Sequence, residues 1–176
     1  MEKVSVREIQ GPLRIQYKSS PEAARVIDHA RTIGADATDP FHSTVEPMPG
    51  CGATLPVGVH RAIGGMHDAP TPGDILCAAL AACQESAIRM TANILGITLT
   101  SLEVKVTGGI DIRGALGIER EVPVGFQTMK CQVDLQIAEG TNPKLVNKLI
   151  KAAEYSCVVS QTLRSGVPVE TDFNVN

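Results

Sequence analysis

Five cysteines are the residues of this 176-residue chain best suited to do chemistry: Cys51, Cys77, Cys83, Cys131 and Cys157. A thiolate is a nucleophile, a redox group and a metal ligand. The count is odd, and Met1–Gln10 carries Glu2, Lys3, Arg7 and Glu8 where a secretory leader would be apolar. Both facts argue against a disulfide scaffold. No two cysteines have C-x-x-C spacing, and no histidine stands at a zinc-ligand distance from a cysteine pair, so no metal site is expected. No G-x-S-x-G motif appears, which disfavours a serine hydrolase. What remains is thiol chemistry or plain packing, since a free cysteine usually behaves as a small buried hydrophobe. Cys131, in step with Val133 and Leu135, is expected to face the core, and Cys51, between two glycines, to be exposed. Cys77 and Cys83 lie about 120° apart round a helix and do not share a face. Cys83 sits in Leu80-Ala81-Ala82-Cys83-Gln84-Glu85 and Cys157 in Tyr155-Ser156-Cys157-Val158-Val159.

Composition bounds the alternatives. The net charge is −3 and only five residues are aromatic (Tyr17, Phe41, Phe126, Tyr155 and Phe173), so the basic, stacking-rich surface that binds nucleic acid is missing. The longest apolar run, Ile75–Cys83, is half of what a membrane span needs. A cytoplasmic protein with neither nucleic acid nor membrane as partner is expected.

The elements that must position these cysteines follow from pattern. Residues 3–17 alternate weakly and suggest two short strands broken at Gly11-Pro12. Pro21 opens a helical pattern, with Ala23, Val26, Ile27 and Ala30 on one stripe, that ends at Gly34. Residues 32–60, without Lys or Arg, suggest loops and edge strands, the last near Leu55–His60. Asp74 is placed to N-cap a helix over Ile75–Leu95, stopped by Gly96, whose first three turns are apolar all round and should be buried. Leu102, Val104 and Val106 mark one half-buried strand, and Met129 to Ile137 another, with Gly114–Gly117 as a hairpin tip. Asn142-Pro143 starts a helical pattern using Leu145, Val146, Leu149, Ile150 and Ala153, which continues, with or without a break, through Cys157 to Leu163 and ends at Gly166. A strand over Val167–Val175 closes an α+β fold with a mainly antiparallel sheet and two major helices.

At these residues the chain resembles the OsmC/Ohr family, the osmotically inducible and organic hydroperoxide resistance proteins. Pro72-Gly73-Asp74-Ile75-Leu76-Cys77-Ala78-Ala79-Leu80-Ala81-Ala82-Cys83 is similar to the family's first-cysteine helix. Ala153–Leu163 is similar to the second-cysteine helix, and Gly166-Val167-Pro168-Val169 to the segment after it. The resemblance implies an OsmC-like domain over residues 41–176, with residues 1–40 as an extension. It implies an intertwined homodimer and thiol peroxidase chemistry, with Cys83 as peroxidatic and Cys157 as resolving thiol. The partners would be a hydroperoxide, organic because the Ala/Leu/Ile lining is apolar, and an external thiol or dithiol reductant. No cofactor is implied. The alternative is a non-enzymatic dimer of the same fold that binds a small apolar ligand or senses redox state.

In the best-studied peroxidases of that family an Arg, held by a Glu before the first-cysteine helix, activates the thiol. Here Gly73 stands at the position of that Glu, and the aligned stretch lacks an Arg. Arg61, His60, His67 and Arg14 are the substitute cations the sequence offers. Glu85 and Arg89 lie about 160° and 120° round the helix from Cys83 and should point away.

Overall fold

Two side chains that cap each other start the longest element of the chain, whose computed structural model describes residues 4–34 and 36–175. Thr71 Oγ1 accepts the backbone N–H of Asp74 at 3.2 Å. The Asp74 carboxylate accepts the backbone N–H and the hydroxyl of Thr71 at 2.9 and 2.8 Å. This is a capping box, worth about 1 kcal/mol at the cap residue. The N-cap is therefore Thr71 and not Asp74, because Pro72, which lacks an N–H, fits the first helical position and starts the helix a turn early. The helix, α2, runs Pro72–Leu95. Gly96, at φ +68°, ends it, and the Ile97 N–H returns to the Ala92 carbonyl at 2.9 Å.

The chain forms two compact units. The first comprises residues up to Ala78 together with Val106–Cys131. Its leading element is a helix, α1, over Val6–Ser19, where two strands were expected. Ser5 caps it by accepting the Glu8 N–H at 3.3 Å. The apolar residues Ile9, Leu13 and Tyr17 recur every fourth position, and that helical spacing outweighs the weak alternation even with Pro12 inside. The helix expected from Pro21 to Gly34 is reduced to a 3-10 turn, Pro21–Ala24. Its stripe has nothing to bury against: Val26 and Ile27 are exposed, and an unpacked helix of that length is marginal in water.

Three short strands follow, β1 (Arg31–Thr32), β2 (Ser43–Glu46) and β3 (Leu55–Val57). They form an antiparallel sheet in that order, with Arg31 opposite Glu46 and Ser43 opposite Val57. The chain then doubles back: the Gly58 N–H donates to the Pro70 carbonyl at 2.9 Å and the His67 N–H to that of Val59 at 3.0 Å. A Cβ on Gly65 would stand 2.1 Å from the Val59 carbonyl oxygen, so only glycine permits this approach. The region of Gly114–Gly117 is broader than a hairpin tip and carries one turn of helix, α3 (Ile112–Ala115). Gln127 closes that loop, accepting the Asp111 N–H and donating to the Pro123 carbonyl, both at 2.7 Å.

His42 ties two loops of this unit together. Its Nδ1 lies 2.8 Å from Asp39 Oδ2, and its Nε2 lies 3.3 Å from both oxygens of Asp68. A carboxylate at each nitrogen favours the imidazolium and raises the His42 pKa, first through the hydrogen bond to Asp39. The sign follows: a raised histidine pKa gives stability that is fully present below the unfolded value near 6.5 and is lost as pH climbs through the folded one. The melting-temperature difference between the protein and Asp68→Asn should therefore shrink from pH 6 to pH 9. A difference that stays constant across that range would refute the charge on His42.

The second unit comprises Ala79–Lys105 and the chain from Gln132 onward. β4 (Leu99–Gly109) and β5 (Thr128–Ile137), of which Leu99–Lys105 and Gln132–Ile137 belong to this unit, pair antiparallel. The Ala138 N–H donates to the Thr98 carbonyl at one end and the Gln127 N–H to that of Gly109 at the other. On β4, Leu102, Val104 and Val106 are half-buried and alternate with exposed residues, as the sequence pattern requires. Cys131 and Val133 on β5 are exposed, contrary to the expected core position. α4 (Pro143–Ser156) starts as expected, with Asn142 Oδ1 accepting the Lys144 N–H at 2.9 Å, and α5 (Val158–Ser165) follows after a break at Cys157. Leu80, Ala87, Ile88, Ala92, Ile97, Leu149, Ala153 and Cys157 form the buried apolar core of this unit. The segment Val167–Val175 is not a strand: among the described residues it has no partner strand, and Val167, Val169, Phe173 and Val175 are exposed.

Candidate functional site

Cys83 and Cys157 lie in the same compact unit as separate thiols. Cys83 is the twelfth residue of α2 and is half-buried. Leu80 and Ala87, both buried, stand about 60° and 40° from it round the helix, so Cys83 occupies the rim of the buried face. Glu85 and Arg89 pair with each other at 3.1 Å, pointing away from Cys83 as their spacing requires. Among the described residues the Cys83 thiol makes no side-chain hydrogen bond. At the twelfth helical position it also lies beyond the first turn, where the helix dipole is felt.

Cys157 is fully buried, at 0% exposure. Its backbone is extended (φ −75°, ψ 99°), so it ends α4 and caps α5 at once. Arg164 spans this joint to Glu154 at 2.7 Å, and the Gln161 side-chain amide donates to the Glu154 carbonyl at 3.2 Å.

The other three cysteines differ in kind. Cys77 is half-buried near the start of α2, and burial, followed by the negative charge of Asp74, pushes its thiol up. It is a poor nucleophile at neutral pH. Cys51 is exposed in its glycine-flanked turn, where Sγ accepts the Ala53 N–H at 3.4 Å. Cys131 is exposed on β5.

Each substitute cation named from sequence has a local task. Arg61 Nε donates to the Met66 carbonyl at 3.1 Å. His60 Nδ1 accepts the Ala62 N–H at 3.0 Å and so caps the 3-10 turn over Arg61–Ile63. His67, a non-glycine residue at φ +54°, stacks 4.5 Å from His60 and sits 3.5 Å from Asp74. Arg14 contacts Gln10 on α1 at 3.5 Å. The Asp74 carboxyl is held low by the Thr71 N–H and hydroxyl, with a smaller contribution from His67.

The Arg31–Glu46 pair is absent from the sequence analysis. Arg31 Nε lies 2.8 Å from Glu46 Oε2, and Glu46, buried at 6% exposure, also accepts the Gly50 N–H at 3.0 Å. Those contacts, the Gly50 N–H first, hold the Glu46 carboxyl below its usual range. Among the described residues no group of three or more His, Cys, Asp or Glu side chains could hold a metal ion. No helix among them is long and apolar enough to cross a membrane.

An α+β chain with antiparallel sheets, Cys83 on the long helix α2 and Cys157 at the joint of α4 and α5 defines the class, and comparison with known proteins agrees. The family model for OsmC-like protein matches residues 65–172, and the chain belongs to that family. The OsmC-like protein of Mycoplasma pneumoniae superposes with a TM-score of 0.62 at 13% identity, over 80% of this chain and 89% of that one. An organic hydroperoxide resistance protein OsmC of Legionella pneumophila, described as a predicted redox protein, gives 0.52 at 25% identity, over 79% and 90%. An organic hydroperoxide resistance protein of Elizabethkingia anophelis gives 0.57 at 21%, over 81% and 91%. No curated protein matches. The family and the Legionella pneumophila neighbour together support a redox-related role.

Proposed function

We propose that this protein is a thiol-dependent reductase of organic hydroperoxides, with Cys83 as peroxidatic and Cys157 as resolving cysteine. The observation that carries this reading is the placing of the two motif cysteines in one compact unit, one half-exposed at a core rim and the other buried at a helix joint. In the first step the Cys83 thiolate attacks the O–O bond of ROOH. The S–O bond forms, the O–O bond breaks, and the alkoxide leaves and takes up a proton as the alcohol. The sulfenic acid then condenses with the Cys157 thiol, forming the disulfide and releasing water. An external dithiol returns two electrons and two protons by exchange. Apolar Leu80 and Ala87 beside Cys83 favour an organic over a purely aqueous oxidant.

The protein acts as a homodimer in this reading. Ala78, Ala79 and Ala82 on α2 are open in the single chain, and the exposed residues Val167, Val169, Phe173 and Val175 alternate as one face of a strand. Light scattering should return twice the mass of 18.6 kDa, and a monomer at micromolar concentration would refute the dimer.

The reading is tested with stoichiometric cumene hydroperoxide on reduced protein, followed by disulfide mapping by mass spectrometry. A rapid Cys83–Cys157 bond is expected, and unchanged thiols after prolonged exposure would sink it. That second result is what a non-enzymatic, ligand-binding member of the fold would give. The absence of a hydrogen bond to the Cys83 thiol among the described residues is the observation favouring that alternative.

A further inference from the structure

The outer face of α4 carries charge that nothing among the described residues answers. Lys144, Lys148, Lys151 and Tyr155 follow one another at spacings of four, three and four residues. At 100° per residue they fall within about 60° of one another round the helix. They line, with Asn147 and Ala152, a shallow groove of about 510 Å³. None of the three lysines forms an ion pair among the described residues. The one acidic residue of α4, Glu154, is turned to Arg164 at 2.7 Å. Three of the seven lysines of a chain with net charge −3 are thus gathered on one stripe about 11 residues, or roughly 16 Å, long. Tyr155, 81% exposed, closes the stripe.

We propose that this face docks the acidic surface of a second protein in a transient encounter. The size of the stripe decides among anionic partners. Lipid-binding basic clusters usually hold about four to eight cations, and nucleic-acid sites neutralise about six to ten phosphates. Three lysines on a chain that is negative overall fall short of both. They match instead a small protein interface: an exposed aromatic anchor, apolar lysine stems and an ammonium rim. A patch one helix wide falls at the low end of interface sizes, where short-lived contacts belong. The charge gives on-rate and orientation more than affinity, so binding should weaken steeply with salt. None of this depends on the chemistry proposed for Cys83.

The test uses the full chain and a fluorescein-labelled decaglutamate peptide, read by fluorescence anisotropy at 20 and 150 mM salt. Binding is expected at low salt. It should weaken at least tenfold in Lys144→Gln/Lys148→Gln/Lys151→Gln and stay within twofold in a control, Lys18→Gln/Arg25→Gln. Tyr155→Ala should weaken binding severalfold without changing the salt dependence. Circular dichroism checks that each variant is folded, and a single Lys148→Gln repeats the measurement if the triple variant is not. No binding by the unaltered protein, equal loss in the control, or preferential capture by phosphatidylglycerol vesicles over the peptide would each overturn the proposal.

Discussion

Cys83→Ser should abolish hydroperoxide consumption, lowering kcat/KM for cumene hydroperoxide by roughly a thousandfold or more. That is about 4 kcal/mol of transition-state stabilisation. The reason is the nature of the step: a hydroxyl at position 83 stays protonated at neutral pH and cannot deliver an electron pair to the O–O bond, whereas a thiol ionises within reach of neutrality. Cys157→Ser should behave differently. The first equivalent of peroxide is still consumed, but the sulfenic acid on Cys83 has no thiol to condense with, and turnover with a dithiol reductant slows or stalls. A stopped-flow burst of one equivalent per subunit, followed by a slow phase, is the expected trace. Trapping with dimedone should mark Cys83 in that variant and nothing in Cys83→Ser. If Cys83→Ser keeps full activity, Cys83 is not the nucleophile, and exposed Cys51 and Cys131 become the thiols to replace next.

The largest effect on stability is expected at Leu149. Its side chain is fully buried, at 0% exposure, and shares the core of its unit with Ala153 and Cys157. Leu149→Ala removes three carbons and leaves a cavity that rigid helical neighbours fill only in part. The cost should be about 3 kcal/mol, within the range of roughly 2–5 found for such changes. For a chain of this length that is a fall in melting temperature of roughly 6–12 °C. Ile150→Ala, one residue on and 52% exposed, should cost far less, which separates burial from helix propensity. Thermal unfolding of both variants checks the pair, and equal shifts would refute the assignment of the core face.

What could be read from the sequence was what short-range pattern determines. The apolar run before Gly96 gave α2, the alternation at 102–106 gave β4, and Asn142-Pro143 gave the start of α4. The misreadings share a cause. At residues 6–19 two periods compete, and a Ser5 cap decides for the helix. At residues 25–34 the helical stripe is present, but nothing packs on it. At Val167–Val175 the pattern of a strand is present without a second strand among the described residues to complete it. The capping box was missed by one turn because Asp74 satisfies the composition rule for an N-cap while Thr71 holds the geometry. The cysteines could be located by motif, but their burial could not, and a buried Cys157 beside a half-open Cys83 is a property of packing. Arg31 and Glu46 lie 15 residues apart, and strand register alone brings them together.

The interruption at Cys157 makes the two halves of its helical stretch a joint with a splint. The splint is the ion pair of Arg164 and Glu154, both well exposed to solvent. A pair of that kind contributes at most about 1 kcal/mol and weakens as salt concentration rises. The stiffness of the segment that presents Cys157 is therefore set partly by the surrounding electrolyte, and the same thiol stands on a looser mount in brine than in dilute buffer.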